Sequence, residues 1–310
     1  MKYQILYHKY NVIAIVVTLL ILGISTTIFV SAKRYSPQKI KLGIYDPARV
    51  ADSQINIGWQ SDFAAWSDPA DLLQNKVHAA TQNNRISLLS LEPWPTASDP
   101  AQMGNAFLQK VSAGAYDPQI ATSCGALVGE SVLMRWGHEM ELTTGRYPWS
   151  GATPQTYIEA YRHFVSVCRK WAPTIQFVWS PAGEQGSEQY WPGGTYVDYI
   201  GISAYGFDAW DIVQGLSPRS FIQIAKPKLA RMAKFNKAII VAEMGVTGAD
   251  SYKINWLSTI KVKDLASPNL IGFVYFNSKD VDGAWGPTLP TPDWRLSPAG
   301  LQAFAGLAAQ

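Results

Sequence analysis

Two glutamates that follow apolar segments, Glu139 and Glu243, are the side chains of this sequence best placed for acid–base chemistry. Two carboxyl groups can cleave a glycosidic bond, because one protonates the leaving oxygen while an ionised one meets the developing oxocarbenium ion. Their surroundings must then differ: an apolar, aromatic setting keeps a carboxyl group protonated, whereas hydrogen bonds from Tyr or Arg keep it charged. Either glutamate alone could be an ordinary ion-pair partner, so the prediction depends on the pair.

The elements that must position this pair alternate along the chain from Ser36 onward. Short apolar segments are separated by longer helical patterns, clearest at Pro154–Trp171 and Pro218–Phe235, and this order indicates β–α units around a parallel sheet. We therefore expect an α/β fold, a (β/α)8 TIM barrel. Its predicted strands are Lys41–Tyr45, Gln54–Trp59, Arg85–Leu91, Ser131–His138, Ile175–Ser180, Tyr199–Ala204, Ala238–Ala242 and Leu270–Phe276.

Residues that follow the strands should meet at one mouth, because the carboxyl ends of barrel strands all open on the same face. Glu139 follows the fourth strand and Glu243 the seventh. His138 could be a buried core histidine, but its place beside Glu139 favours a role in the site. Several tryptophans near strand ends could pack on sugar rings, with core packing as the alternative for each. We assign Trp94, Trp149, Trp179 and Trp285 to substrate binding.

Arg135 is expected to point into the barrel, because it shares side-chain parity with Glu139. A buried cation must be paired. Its partner could be a catalytic carboxylate or Glu92, and the sequence leaves both open.

The composition fits a single catalytic domain. The chain has 310 residues, of which 47% are hydrophobic, and an α/β barrel uses roughly 250 residues. The net charge of +3 comes with no basic stripe interleaved with aromatics, so we do not expect nucleic acid as a partner. No Cys/His spacing suggests a metal site, and we expect neither a metal nor a cofactor.

The N-terminal residues 1–36 are predicted to form a membrane segment ahead of a barrel domain at 37–310. Asn11–Ala32 carries no charge and is long enough to cross a hydrocarbon core of about 30 Å as one transmembrane helix. A cleaved signal peptide is the alternative, since Val30-Ser31-Ala32 resembles a cleavage site. The flanking charges leave the orientation open. Because a polysaccharide is the expected substrate, we expect the barrel outside the cytoplasm, in the periplasm or at the cell surface.

Two cysteines, Cys124 and Cys168, occur in elements that should be neighbours. In an oxidising compartment they could form one disulfide. Two buried free thiols are the alternative.

The chain also resembles glycoside hydrolase family 26 over residues 40–280. Members of that family are retaining, endo-acting enzymes on a (β/α)8 barrel, chiefly β-mannanases, with β-glucanases and β-xylanases among them. The segments that carry the resemblance, in family-like order and spacing, are Arg135–Met140, Tyr147–Trp149, Val178–Pro181, Tyr196–Tyr205 and Ala242–Gly245.

This resemblance implies a role for each matching residue. Glu139 falls on the family's acid/base and Glu243 on its nucleophile. Tyr205 falls on the tyrosine that hydrogen-bonds the nucleophile. His138 falls on the histidine that contacts the sugar in the reactive subsite, and Trp94 on the sugar-stacking aromatic after strand three.

Two departures from the family pattern bear on substrate identity. Glu141-Leu142 stands where relatives usually have Asn-Gly, and Tyr275 stands where many carry Trp at the end of strand eight. The local sequence around Phe276-Asn277, together with Asp293-Trp-Arg295, is more similar to the glucanase-type members of the family.

We therefore expect a retaining endo-β-glycanase that hydrolyses a β-1,4-mannan or a β-1,3-1,4-glucan by double displacement. Its partners would be the polysaccharide and, through the N-terminal helix, a membrane. A transglycosylase in exopolysaccharide processing would use the same residues. A barrel that only binds polysaccharide is the other alternative.

Overall fold

Eight parallel strands form a closed barrel in the computed structural model, which describes residues 39–95 and 103–310. Each strand pairs with its neighbours in chain order, and the eighth pairs back with the first. The strands are β1 (Lys41–Tyr45), β2 (Trp59–Ala65), β3 (Ile86–Glu92), β4 (Val132–Trp136), β5 (Gln176–Trp179), β6 (Tyr199–Gly206), β7 (Ala238–Val246) and β8 (Leu270–Phe276). With helices between the strands, this arrangement fits the predicted (β/α)8 barrel.

Eight α-helices lie among the described residues. They are α1 (Ala70–Gln82), α2 (Gly104–Ser112), α3 (Asp117–Gly125), α4 (Pro154–Trp171), α5 (Asp208–Val213), α6 (Phe221–Met232), α7 (Asp250–Ser258) and α8 (Pro298–Ala305). The predicted helix at Pro154–Trp171 is confirmed at both ends. It begins where the Thr153 side chain accepts a hydrogen bond from the Thr156 backbone N–H, and proline occupies its first position.

Two layers of apolar side chains hold the barrel together, because alternate strand residues point inward and outward. The outer layer packs strands against helices; for example, Trp136 of β4 stacks on Phe164 of α4 with ring centroids 4.7 Å apart. The smaller inner layer fills the barrel itself. Its buried members are Trp59, Leu88, Leu133, Val178, Ile240, Ala242, Ile271 and Val274.

The second strand lies later than predicted. Residues 54–59 were expected to form it, but β2 begins at Trp59, and Ile55 and Ile57 are buried in the connection that precedes it. The strand sequence Trp59–Ala65 carries polar residues at three successive positions, so it lacks the apolar pattern of a buried strand. Within the described stretch 39–95, the connection from β1 to β2 contains turns and no helix.

The predicted transmembrane segment Asn11–Ala32 and the domain boundary near Ser36-Pro37 lie outside the described residues. Among the helices that the structure does describe, none combines the length and the apolar character needed to cross a membrane.

A disulfide joins Cys124 of α3 to Cys168 of α4, with the two Cα atoms 5.3 Å apart. Of the two alternatives that the sequence left open, the structure therefore has the cross-link. Because these are the only cysteines of the chain, neither α3 nor α4 carries a free thiol. The bridged segment includes β4 and the connection from β4 to α4.

Reducing the disulfide should lower the free energy of unfolding by roughly 2–4 kcal/mol, because the cross-link restricts the unfolded chain. Urea unfolding followed by circular dichroism, with and without a thiol reductant, measures this difference. The Cys124→Ala/Cys168→Ala double variant is the control and should be insensitive to the reductant. Equal stability of the oxidised and reduced wild type would contradict the expectation.

Candidate active site

A β-bulge in β7 turns Glu243 toward the barrel mouth. The pairing of β6 with β7 runs in register up to Ile202 and Val241, and then Ser203 pairs with Glu243, so that Ala242 is skipped. Ala242 belongs to the barrel interior. In a regular strand its neighbour Glu243 would point outward, but the extra residue re-aims the following side chain. Glu243 consequently reaches partners at the mouth.

Two donors hold the Glu243 carboxylate. Arg135, fully buried in β4, donates from Nη1 to Oε1 at 2.7 Å, and the Tyr205 hydroxyl donates to Oε2 at 2.6 Å. The same Arg135 nitrogen also donates to the Ser90 hydroxyl at 3.0 Å. Charge-assisted bonds of this kind stabilise the ionised form of a carboxyl group. Of the two partners that the sequence left open for Arg135, the structure thus selects a candidate catalytic carboxylate and not Glu92.

Glu139 lies in the opposite electrostatic setting. It is buried, it has a left-handed backbone (φ 55°), and its N–H donates to the Ser180 carbonyl at 2.8 Å. The Ser203 hydroxyl donates to its Oε1 at 2.5 Å. Burial, followed by the nearby negative charge of Glu243, raises the pKa of Glu139 to about 7, against the opposing effect of the Ser203 hydrogen bond. This carboxyl group is therefore about half protonated near neutral pH and largely protonated below it.

His138 is a neutral support beneath the mouth. It has no exposed surface, its Nε2 lies 3.2 Å from the Tyr147 hydroxyl, and its carbonyl accepts the Trp149 indole N–H at 2.7 Å. Burial, followed by the positive charges of Arg135 and Arg146, lowers the pKa of His138 well below its usual range. The expected direct contact of His138 with a sugar is not available in this structure, because the ring is covered.

Trp149 is likewise fully buried and supports the site from behind. It stacks on Tyr147, with ring centroids 4.5 Å apart and planes 14° apart. The sequence prediction that Trp149 binds substrate therefore does not match its position. The contact that it makes instead fixes the tyrosine in front of it.

Trp94 is the exposed aromatic on the β3 side of the mouth. Its side chain follows β3, is 36% exposed, and donates from Nε1 to Glu92 at 2.9 Å. The ring also contacts Tyr147 and Trp149, at centroid distances of 6.4 Å and 5.4 Å. Glu92 lies 3.9 Å from the His138 imidazole, but that ring is neutral, so the contact is not an ion pair. Trp94 thus lies after β3 with part of its ring exposed, and its stacking on a sugar stays a prediction.

Trp285 forms an aromatic surface on the other side of the mouth. It is half-buried, and its ring lies 5.5 Å from that of Tyr205. The indole N–H donates to Asp280 at 3.0 Å. Asp280 also pairs with Arg146 at 3.5 Å, which links the loop after β4 to the loop after β8. Sequence reasoning missed this link, since nothing in either loop indicates its partner.

Trp179 is a correction to the predicted site. It is fully buried, and its ring packs against Trp191 and Phe235, at 5.2 Å and 5.6 Å. The physical reason is strand parity, because Val178 points into the barrel and its neighbour therefore points outward. Trp179 packs the outer layer and does not reach the mouth.

The end of β8 needs a second correction. Tyr275, taken as the mouth residue from the sequence, is buried, and its hydroxyl donates to the Trp294 carbonyl at 2.8 Å. Phe276 is the half-buried residue at the mouth. Its ring contacts Tyr45 at 4.7 Å and Tyr205 at 6.5 Å.

Glu141, which stands where relatives usually have Asn, connects two loops at the mouth. Its Oε1 accepts the backbone N–H of Gly183 at 2.8 Å and that of Glu184 at 3.2 Å, and its Oε2 accepts that of Ala182 at 3.2 Å. The side chain therefore fastens the loop after β5 to the loop after β4.

Within the described residues, no three His, Cys, Asp or Glu side chains gather in a way that could hold a metal ion.

Comparison with known families gives this arrangement a context. The family model for glycosyl hydrolase family 26 matches residues 43–261, which is more than half of the chain. This chain belongs to glycosyl hydrolase family 26. The resemblance inferred from the sequence motifs is thereby confirmed.

One curated relative and two solved structures illustrate the similarity. Endoglucanase H of Acetivibrio thermocellus is 28% identical over 265 residues, which cover 80% of this chain and 26% of that protein. This chain thus spans about a quarter of that relative's length. A family 26 β-mannanase from Bacteroides ovatus has a TM-score of 0.61 at 14% identity and covers 88% of this chain and 89% of its own. A β-mannanase from a symbiotic protist of the termite Reticulitermes speratus, complexed with gluco-manno-oligosaccharide, has a TM-score of 0.57 at 14% identity, covering 89% and 88%.

The pH dependence of glycoside hydrolysis should reveal the Glu139–Ser203 hydrogen bond. If Glu139 is the acid, kcat/KM is highest below the pKa of Glu139, where the carboxyl group holds its proton, and falls as the pH rises through about 7. The Ser203→Ala variant loses a bond that favours the charged carboxylate, so the falling limb should move to higher pH, by up to about one unit.

The Ser150→Ala variant is the control, because that buried hydroxyl donates to the Tyr147 carbonyl and to neither glutamate. Its pH profile should match that of the wild type. An unchanged limb in Ser203→Ala, or a limb moved to lower pH, would contradict the assignment.

Proposed function

We propose that this protein is a retaining endo-β-glycanase that hydrolyses a β-linked polysaccharide of the mixed-linkage glucan or mannan type. The observation that carries the proposal is the unequal setting of two carboxyl groups at one mouth. Glu139 is buried, with a pKa raised to about 7, whereas Glu243 accepts bonds from Arg135 and Tyr205. A retaining glycosidase needs such a pair, one member protonated and one ionised.

The two steps of the reaction follow from these settings. Glu139 donates its proton to the leaving oxygen while the Glu243 carboxylate attacks the anomeric carbon, which forms a glycosyl-enzyme and releases the first product. Glu139, now ionised, then takes a proton from the incoming water. That water releases the sugar from Glu243 with overall retention of configuration. Tyr205 and Arg135 keep their hydrogen bonds to Glu243 and so position the attacking carboxylate.

Endo action is supported by aromatic surfaces on two sides of the pair. Trp94 is exposed on the β3 side, and Trp285 is half-buried beside Tyr205 and Phe207. Sugar units can pack on such rings on either side of the bond that is cleaved. A chain bound in this way extends past the catalytic pair in both directions.

Glucan is the favoured substrate class, because the relative at 28% identity is named an endoglucanase. The solved β-mannanases are 14% identical and bear only on the fold. A product screen of the purified full chain against mixed-linkage β-glucan, mannan and β-1,3-xylan tests this choice. Short oligosaccharides from glucan are the expected products, and longer products than the substrate would indicate transglycosylation.

Removal of each glutamate should have a different signature. The Glu243→Ala variant should not form the glycosyl-enzyme, so an activated aryl glycoside should be turned over only when an external nucleophile such as azide is added. The Glu139→Ala variant should be glycosylated by the activated substrate, which needs no protonation, but should stall before hydrolysis. Mass spectrometry of the intact protein detects the trapped intermediate.

Two further outcomes would overturn this assignment. If the rescue patterns are exchanged, the roles are reversed. If either variant keeps full activity, the pair is not catalytic. Ser150→Ala again provides a buried control near the mouth that touches neither glutamate.

We further propose that the barrel is held outside the cytoplasm by a transmembrane helix at Asn11–Ala32. The uncharged length of that segment supports an anchor, and the Cys124–Cys168 disulfide supports an oxidising compartment. A polymeric substrate of this kind is found outside the cell membrane.

Protease added to spheroplasts that express the full chain should digest the barrel, because the bilayer would not cover it. A cytoplasmic marker protein in the same sample is the control and should survive. Without protease, membrane fractions should contain the chain at its full mass. A mass smaller by that of the N-terminal segment would show that the segment is a cleaved signal peptide and not an anchor. Protection of the barrel from protease would reverse the topology.

A further inference from the structure

A polar cleft lies on the outer wall of the barrel, between the connection from β1 to β2 and helix α1. The connection between these strands consists of turns within the described stretch 39–95. The cleft has a volume of about 310 Å³ and is bounded by that connection, by β2 and by α1. This volume is at the lower end of the range for small-molecule clefts, about 300–1,000 Å³.

The cleft is separate from the catalytic mouth because of strand parity. Trp59 of β2 belongs to the barrel interior, and Phe63 packs toward His138 with ring centroids 6.1 Å apart. Gln60 and Asp62 alternate with these residues, so they face the outer wall, and both line the cleft. Side chains in the cleft therefore cannot reach the catalytic carboxylates.

Polar residues at outward strand positions are unusual and carry a folding cost. Outward positions of barrel strands normally bury apolar side chains against a helix. Here Gln60 is 5% exposed, and burial raises the pKa of Asp62. This same polarity is the reason that the sequence pattern did not predict β2. Sites where local sequence and fold disagree in this way are often functional.

Part of the polar lining is satisfied internally. Arg85 donates to Asp52 at 2.6 Å, Arg49 donates to Gln60 at 3.0 Å, and Gln60 donates to Asp62 Oδ2 at 2.9 Å. These bonds fix the wall of the cleft in one geometry. Preformed polar groups of this kind bind a ligand without first having to be ordered.

Other polar groups of the lining stay available to a ligand. Among the residues that the structure describes, the second carboxylate oxygen of Asp62, the Lys76 ammonium group and the Asn75 amide make no hydrogen bond, although the charge of Lys76 acts on Asp62 and lowers its pKa against the effect of burial. They supply one acceptor and two kinds of donor on the same cleft. Pro47 and Ala79 add apolar surface beside them.

The charges of the cleft balance. Three carboxylates, those of Asp46, Asp52 and Asp62, face three cations, those of Arg49, Lys76 and Arg85. An anionic ligand would meet the free oxygen of Asp62, and a cationic ligand would meet Lys76. A neutral ligand with many hydroxyl groups can use donors and acceptors together, and its C–H surface can pack on the apolar part.

We propose that this outer-wall cleft is a second carbohydrate-binding site, which holds a short neutral segment of the polysaccharide away from the catalytic mouth. The choice of a β-linked sugar as ligand depends on the proposed function. Such a site would keep the enzyme on the polymer between cleavage events. It would act on binding and leave the chemistry of the glutamate pair unchanged.

Cysteine protection can test the site directly, because both natural cysteines are in the disulfide and cannot be alkylated. The Ala79→Cys variant places a thiol in the cleft, and the Gln74→Cys variant places one on the exposed surface of the same helix, α1. Both are made in the full chain with Glu243→Gln, so that the sugar is not cleaved. The probes are mixed-linkage β-glucan hexasaccharide, mannohexaose and inorganic phosphate.

The expected result is slower alkylation of Ala79→Cys in the presence of a neutral hexasaccharide. At about three times the dissociation constant the rate should fall about fourfold, since only the unliganded fraction reacts. Gln74→Cys should react at the same rate with and without sugar. Adding Lys76→Ala or Asp62→Asn to Ala79→Cys should weaken the protection, and circular dichroism checks that each variant is folded.

Equal rates with and without either hexasaccharide would overturn the proposal, as would protection by phosphate alone. Hydrolysis of β-glucan and mannan by the wild type is measured separately. Hydrolysis without protection of the thiol would contradict the second site and support the proposed function. Protection without hydrolysis would support the second site and contradict the proposed function.

Discussion

The buried guanidinium of Arg135 determines the charges of the whole site. Because this side chain has no exposed surface, its positive charge needs a carboxylate, and Glu243 supplies it at 2.7 Å. A neutral Glu243 would leave a buried cation uncompensated, at a cost of several kcal/mol. The negative charge kept on Glu243 in turn contributes to the raised pKa of Glu139. One enclosed cation thus holds one carboxyl group ionised and contributes to the raised pKa of the other.

This arrangement needs both glutamates at the mouth, and each reaches it through an irregular backbone. The bulge in β7 turns Glu243 inward beside Ala242, and a left-handed backbone at φ 55° does the same for Glu139 after β4. Ser203 connects the two irregularities, since it pairs in register with Glu243 and hydrogen-bonds Glu139. Regular elements set the distance across the mouth, and these exceptions aim the side chains.

The sequence predicted the parts of the fold that a repeated apolar pattern specifies. Helix α4 and strands β1 and β8 have that pattern, and they lie where they were expected. Strand β2 was misplaced because its outward residues are polar. Trp179 was misassigned because a four-residue strand gives too little alternation to fix which side chains point outward. The bulge in β7 and the partners of Glu139 depend on contacts between distant segments, which no local pattern reports.

The disulfide makes the segment that carries Glu139 a closed ring of polypeptide. The ring runs from Cys124 in α3 to Cys168 in α4 and includes β4 together with His138 and Tyr147. A protease that cuts once within this ring opens it without separating the two halves of the protein. A single nick in the long connection after β4 would therefore leave Glu139 and Glu243 on one covalent molecule.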